Sequence, residues 1–110
     1  MPYFVYILFS NKLNRFYVGI TKNVDSRINQ HNKGESTYTS AGIPWSLLWS
    51  TVKSTLKDVE ELELKLKNLS QERKIRFINK YDKGIEDQIL LKEISNLLKS
   101  NKKRNPDRTV

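Results

Sequence analysis

The chain contains no cysteine, a single histidine, four glycines and three prolines. Without cysteine there are no disulfides, no thiolate metal sites and no cysteine nucleophile, and one histidine rules out a His-rich metal cluster. Any metal must therefore bind mainly oxygen. No apolar run approaches the roughly 18 residues of a membrane span. The N-terminus, "MPYFVYILFS", lacks the basic start and small-residue cleavage site of a signal peptide, so a soluble, cytoplasmic protein without a membrane role is expected. Acidic residues are also scarce: 12 Asp and Glu face 20 Lys and Arg, giving a net charge of +8. Such a positive field favours a polyanionic partner, and charge alone does not choose between nucleic acid and an anionic membrane surface.

What is present suits one compact domain. The chain has 110 residues, of which 37% are apolar, enough for one core and too few for two. "YFVYILFS" is apolar on both alternating sets and "RFYVGI" is aromatic and β-branched, so both read as strands, joined by a hairpin loop at "NKLN". If Ser10 pairs with Arg15, Leu8 faces Tyr17 and Tyr6 faces Gly19. Both tyrosines then project from one side, beside a position without a side chain that leaves room for a water.

Asn23 is a favoured N-cap for a helix running toward Gly34, in which Val24 and Ile28 form a buried edge flanked by Arg27 and His31. "PWSLLWSTV" alternates Trp45, Leu47 and Trp49, which predicts a third strand with one aromatic core face. Helical spacing then recurs at Val59, Leu62, Leu66 and Leu69. At about 100° per residue, Glu63 lies roughly 40° from Val59 and borders this stripe, whereas Glu60 and Glu61 point away. A short basic helix is expected after Ser70, an amphipathic helix over 85–99, and a charged, disordered tail over 101–110.

The residues at these positions resemble the GIY-YIG nuclease family. The resemblance rests on "VYI" around Tyr6, "YVG" at Tyr17 to Gly19 after ten intervening residues, Arg27 eight beyond that glycine, and Glu63 in "VEELELKLK". "RINQHNKG", "TYTSAGIPWSLLW" and "LKLKNLSQERK" extend the match to small single-domain bacterial members. The resemblance implies an α+β fold with a small three-stranded antiparallel sheet flanked by helices. It implies a nuclease domain over residues 1–80 and a helical extension over 81–100. It also implies a DNA endonuclease using Mg²⁺ or Mn²⁺, of a kind found in DNA repair. Tyr6, Tyr17, Arg27 and His31 match the family's catalytic positions and Glu63 its metal-binding carboxylate. Two positions depart from the pattern: Ile20 stands where many relatives carry lysine, and the family's late asparagine has no clear counterpart.

The residue types suit the chemistry. Phosphodiester hydrolysis needs an in-line water, charge neutralisation in the transition state and help for the leaving oxygen. Mg²⁺ keeps most of its water shell and takes only one or two carboxylates, so Glu63 could hold it. Arg27 would clamp phosphate oxygens with its planar fork. A phenol with pKa near 10 needs assistance at pH 7, from His31, metal-bound water or a nearby cation, and the sequence leaves open which tyrosine takes the proton. With no large extra domain, recognition of backbone or unusual structure is expected over sequence-specific cleavage. RNA also remains a substrate option. Two other readings stand beside this one: a nucleic-acid-binding module with the same fold and little catalysis, and a small partner-binding protein that uses the 85–99 helix.

Overall fold

A computed structural model describes residues 2–104. Among them the chain runs β1 (Tyr3–Ser10), β2 (Arg15–Thr21), α1 (Val24–Asn32), a 3-10 helix (Thr37–Gly42), β3 (Trp45–Lys53), α2 (Leu56–Lys67), α3 (Gln71–Lys80) and α4 (Gln88–Arg104). The strands form one antiparallel sheet in the order β2-β1-β3, and helices cover both faces, an α+β architecture.

The hairpin register follows the expectation: Ser10 pairs with Arg15, Leu8 with Tyr17 and Tyr6 with Gly19. Asn14 takes a positive φ of 52° in the connecting loop, a conformation asparagine tolerates. Strand β1 is central and buried on both sides. Val5, Ile7 and Phe9 face α2, α3 and α4 in the larger core, while Tyr6 and Leu8 face the smaller cluster that holds Trp45 and Ile28.

Strand β3 corrects the sequence reading. Trp45, Leu47 and Trp49 do not share a face, because a bulge interrupts the pairing: Ile7 opposes Trp49 while Leu8 opposes Leu47, leaving Leu48 as the extra residue. Trp45 therefore packs with Tyr6 and Leu8, and Trp49 with Val5 and Ile7 on the opposite side. Both indoles are core, at 6% and 2% exposure, as their size favours.

Side-chain caps set the helix starts. Asn23, Thr55 and Ser70 accept hydrogen bonds from the backbone N–H of Ser26, Asp58 and Arg73, satisfying donors that a helix end leaves unpaired. Helix α4 begins later than the expected 85, since Ile85 instead bridges to Trp49 and the Asp87 carboxylate accepts from Leu90 N–H at 2.9 Å. It continues to Arg104, because "SNKKR" contains no glycine or proline and the first breaker is Pro106. The part of the expected tail from residue 105 onward lies outside the described residues.

Candidate active site

Helix α1 lies on the Tyr6 side of the sheet, anchored to β3 by a two-way bond. The Asn32 side chain donates to Trp45 C=O at 3.0 Å and accepts from Trp45 N–H at 2.7 Å. This anchor swings His31 to 0% exposure, so the residue expected at the flank of α1 is fully interior. The Tyr6 hydroxyl sits 2.9 Å from His31 Nε2, and His31 Nδ1 sits 2.8 Å from the Thr39 hydroxyl. Thr39 is itself buried to 1%, on the 3-10 helix, which is held by Trp45 Nε1 donating to Thr39 C=O at 2.7 Å.

The direction of this chain follows from donor counting. The Thr39 hydroxyl donates to Ser36 C=O, at 3.4 Å, so toward His31 it acts as acceptor. His31 Nδ1 then carries the hydrogen, and Nε2 offers its lone pair to the Tyr6 O–H. Burial lowers the imidazole pKa below its usual 6.5, and the nearby Arg27 charge lowers it further, which keeps the ring neutral.

Gly19 makes this geometry accessible in a way the sequence reading misjudged. The space over it does not hold a water: a Cβ there would lie 2.5 Å from Tyr6 Oη and 3.0 Å from Tyr17 Cε2, so the phenols themselves fill it. The Tyr6 and Tyr17 ring centroids are 6.2 Å apart, and Tyr17 stands edge-on to His31 at 4.9 Å. Tyr6 is 1% exposed and its pKa is pushed up to about 12, first by burial and then by Tyr17. The Arg27 guanidinium opposes this through a hydrogen bond and its charge, and the Glu63 carboxylate adds a smaller upward push. Arg27 is half-buried and donates from Nη1 to Gln30 Oε1 at 2.8 Å.

Glu63 approaches differently. Helix α2 buries Val59 and Leu66 against the opposite face of the sheet, yet packs closely on edge strand β2, and Glu63 is the half-buried member of its acidic trio while Glu60 and Glu61 are exposed. Its Oε2 pairs with Lys67 Nζ at 3.3 Å. Lys67 in turn lines a cleft of about 460 Å³ shared with Tyr17, Tyr38 and Lys74, so the two faces meet at the β2 edge. Tyr6, Tyr17 and His31 are thus in direct contact, the Arg27 charge acts on both Tyr6 and His31, and Glu63, on the helix packed against the other face, acts on Tyr6 more weakly.

A divalent ion would find one carboxylate here. Among the described residues no cluster of three or more His, Cys, Asp or Glu side chains exists, so an all-protein cage is absent. Glu63, with 23% of its side chain exposed, suits a hydrated hard cation that takes one carboxylate and keeps its waters.

Sequence reasoning missed Thr39 and Gln30. A buried histidine needs a partner for each ring nitrogen, which points to a hydroxyl nearby, but Ser36, Thr37, Thr39 and Ser40 are equal candidates until the 3-10 helix turns one of them inward. Lys22, two residues beyond Ile20, holds its ammonium 5.4 Å from the Tyr3 ring centroid.

Known proteins similar to this chain identify its family. A UPF0213 protein of Bacillus licheniformis is 32% identical over 88 residues, covering 78% of this chain and 90% of its own. One from Staphylococcus haemolyticus is 32% identical over 77 residues, covering 69% and 93%. The solution NMR structure of a UPF0213 protein from Bacillus halodurans shares 29% identity with a TM-score of 0.48, covering 72% of this chain and 84% of that one. The GIY-YIG catalytic domain model matches residues 2–82, and the chain belongs to the GIY-YIG family.

Proposed function

We propose that the protein is a divalent-metal-dependent endonuclease that hydrolyses DNA phosphodiester bonds, directed by backbone or structure more than by sequence. The observation that carries this reading is the buried chain from Tyr6 through His31 to Thr39, placed beside Arg27. A structural tyrosine needs one hydrogen-bond partner; this one has a neutral imidazole at 2.9 Å and the Arg27 charge acting on its hydroxyl.

The pKa decides how Tyr6 works. With a value of about 12, only about one molecule in 10⁵ carries a phenolate at pH 7. A standing phenolate base is therefore too rare, and a relay would avoid it: when substrate binding brings a water to Tyr6 Oη, which is buried in the free protein, that water would give its proton to Oη as the Tyr6 proton passes to His31 Nε2. Thr39 holds the ring through this step by accepting from Nδ1–H. Arg27 clamps the non-bridging oxygens of the scissile phosphate, and Tyr17 walls the site against water. Glu63 would hold Mg²⁺ or Mn²⁺, which supplies charge neutralisation and leaving-group assistance when bound.

The net charge of +8 supports a phosphate backbone as partner, and no helix among the described residues is long and apolar enough to cross a membrane. A second reading, a nucleic-acid-binding module with little catalysis, is favoured by Ile20 and by the engagement of Lys22 with Tyr3. One assay separates them. Pure protein is incubated with labelled single-stranded, duplex and branched DNA in Mg²⁺, Mn²⁺ or EDTA. Metal-dependent cuts that Tyr6→Phe abolishes more completely than Tyr17→Phe support the relay. Binding without cuts in any metal would establish the second reading.

A further inference from the structure

The larger cleft, of about 490 Å³, lies away from the relay. Past its bulge, β3 turns Trp49 toward α2 and α3, and the stretch 81–84 folds back over it. Three rings make a continuous wall: Trp49 and Phe77 centroids are 5.4 Å apart at 74°, and Phe77 and Tyr81 are 4.6 Å apart at 44°. Trp49 is buried at 2% and forms the floor, whereas Tyr81 is 48% exposed at the rim.

This wall is held firmly. Trp49 Nε1 donates to Tyr81 C=O at 2.9 Å, Glu86 N–H donates to Leu48 C=O at 2.9 Å, and Gly84 presses so close that a Cβ would lie 2.5 Å from the indole nitrogen. Around the aromatic face stand Lys53, Lys65, Lys80 and Lys83, against a single acid, Asp82. Two of the ammoniums already lie over rings, Lys65 at 5.7 Å from Phe77 and Lys80 at 5.5 Å from Tyr81.

An exposed aromatic face ringed by cations is complementary to a ligand with a π-face and negative charge on the same unit. We propose that this cleft binds one nucleotide unit of a single-stranded nucleic acid, with the base stacked on Tyr81 and the phosphates held by Lys53, Lys80 and Lys83. A duplex hides its base faces, so stacking requires an unpaired strand. A bare phosphate would leave the aromatic wall unused. The cleft opens on the side of the sheet opposite the Tyr6–His31 chain, so it would hold a strand at a distance from the scissile bond. The inference stands whether or not the protein cuts DNA.

The protein's two tryptophans place one indole N–H on each face, Trp45 near the relay and Trp49 in this cleft, so their ¹H–¹⁵N signals report the faces separately. In EDTA, where no metal-dependent cleavage occurs, the full chain is titrated with a short oligothymidylate, AMP, pyrophosphate and an acidic peptide. A saturable shift of the Trp49 signal with oligothymidylate, and more weakly with AMP, is expected. Loss of one stacking face or two phosphate contacts in Tyr81→Leu or in Lys80→Glu/Lys83→Glu should weaken oligothymidylate binding at least about tenfold. The double lysine variant alters exposed side chains only, and decides the matter if Tyr81→Leu does not fold. A shift confined to Trp45 would overturn the proposal. So would pyrophosphate or the acidic peptide binding at Trp49 as tightly as the nucleotides, or affinity unchanged in the lysine variant.

Discussion

Replacing Gly19 by alanine perturbs the site through one methyl group, and the structure sets its cost. Alanine is a better strand residue than glycine, so backbone preference alone would predict a gain of up to about 1 kcal/mol. The new Cβ, however, would lie 2.5 Å from Tyr6 Oη and 2.6 Å from Tyr6 Cζ, nearly an ångström inside normal contact. Tyr6 is packed on every side, so its ring yields only by straining the core, at about 1–3 kcal/mol. The displaced hydroxyl also leaves His31 Nε2, and an unpaired buried group costs about 1–3 kcal/mol more. The net is about 2–4 kcal/mol, or roughly 10–20 °C in melting temperature for a domain of this size. Thermal melts of Gly19→Ala check the magnitude, and repeating the substitution in Tyr6→Leu, where only the Tyr17 ring at 3.0 Å still approaches Gly19, isolates the Tyr6 contact. The penalty should shrink by at least about 1 kcal/mol in that background. A melting temperature within about 2 °C of the parent, or an equal penalty in both backgrounds, would refute the reasoning.

Other perturbations have defined outcomes. Arg27→Lys keeps the charge but loses the planar fork, so cleavage should fall at least about tenfold with the fold intact; parental activity would reduce Arg27 to a local charge. Thr39→Val removes the acceptor for His31 Nδ1–H, so it should destabilise by about 1–3 kcal/mol and release the tautomer, seen as altered imidazole ¹⁵N shifts. Unchanged shifts would take Thr39 out of the chain. Stability should also depend on pH at both ends. The lowered His31 pKa means its contribution is complete above pH 6.5 and is lost as pH falls below that value. The raised Tyr6 pKa means its contribution is complete below pH 10 and is lost between 10 and about 12, a change of about 3 kcal/mol. Urea melts across pH check both, and Tyr6→Phe should abolish the alkaline loss.

Local pattern carried the parts of the structure that local chemistry decides. The pairing of Tyr6 with Gly19 was legible because a short loop and a period of two leave one register, and the partial burial of Glu63 beside the exposed Glu60 and Glu61 was legible because helix phase is arithmetic. The β3 bulge was not, because alternation at Trp45, Leu47 and Trp49 looks the same with or without an inserted residue; only pairing with both Ile7 and Leu8 demands it. The depth of His31 was hidden too. Helix spacing placed it near the buried edge, but its complete burial depends on Asn32 tying α1 to Trp45 across a long loop. Thr39 escaped for the same reason, since a 3-10 turn has no hydrophobic period to announce which hydroxyl faces inward.

The central claim is that Glu63 and the Tyr6–His31 chain form one hydrolytic site at the β2 edge. It is tested most directly by measuring DNA cleavage and DNA binding together for Glu63→Gln, Glu60→Gln and Glu61→Gln. Glu63→Gln keeps the side chain's shape while removing the charge a hard cation needs, so cleavage and metal affinity should collapse while DNA binding survives or tightens. The two exposed variants should cleave within a few-fold of the parent. Full cleavage by Glu63→Gln, with Glu61→Gln inactive, would contradict the helix phase, the metal position and the account built on them.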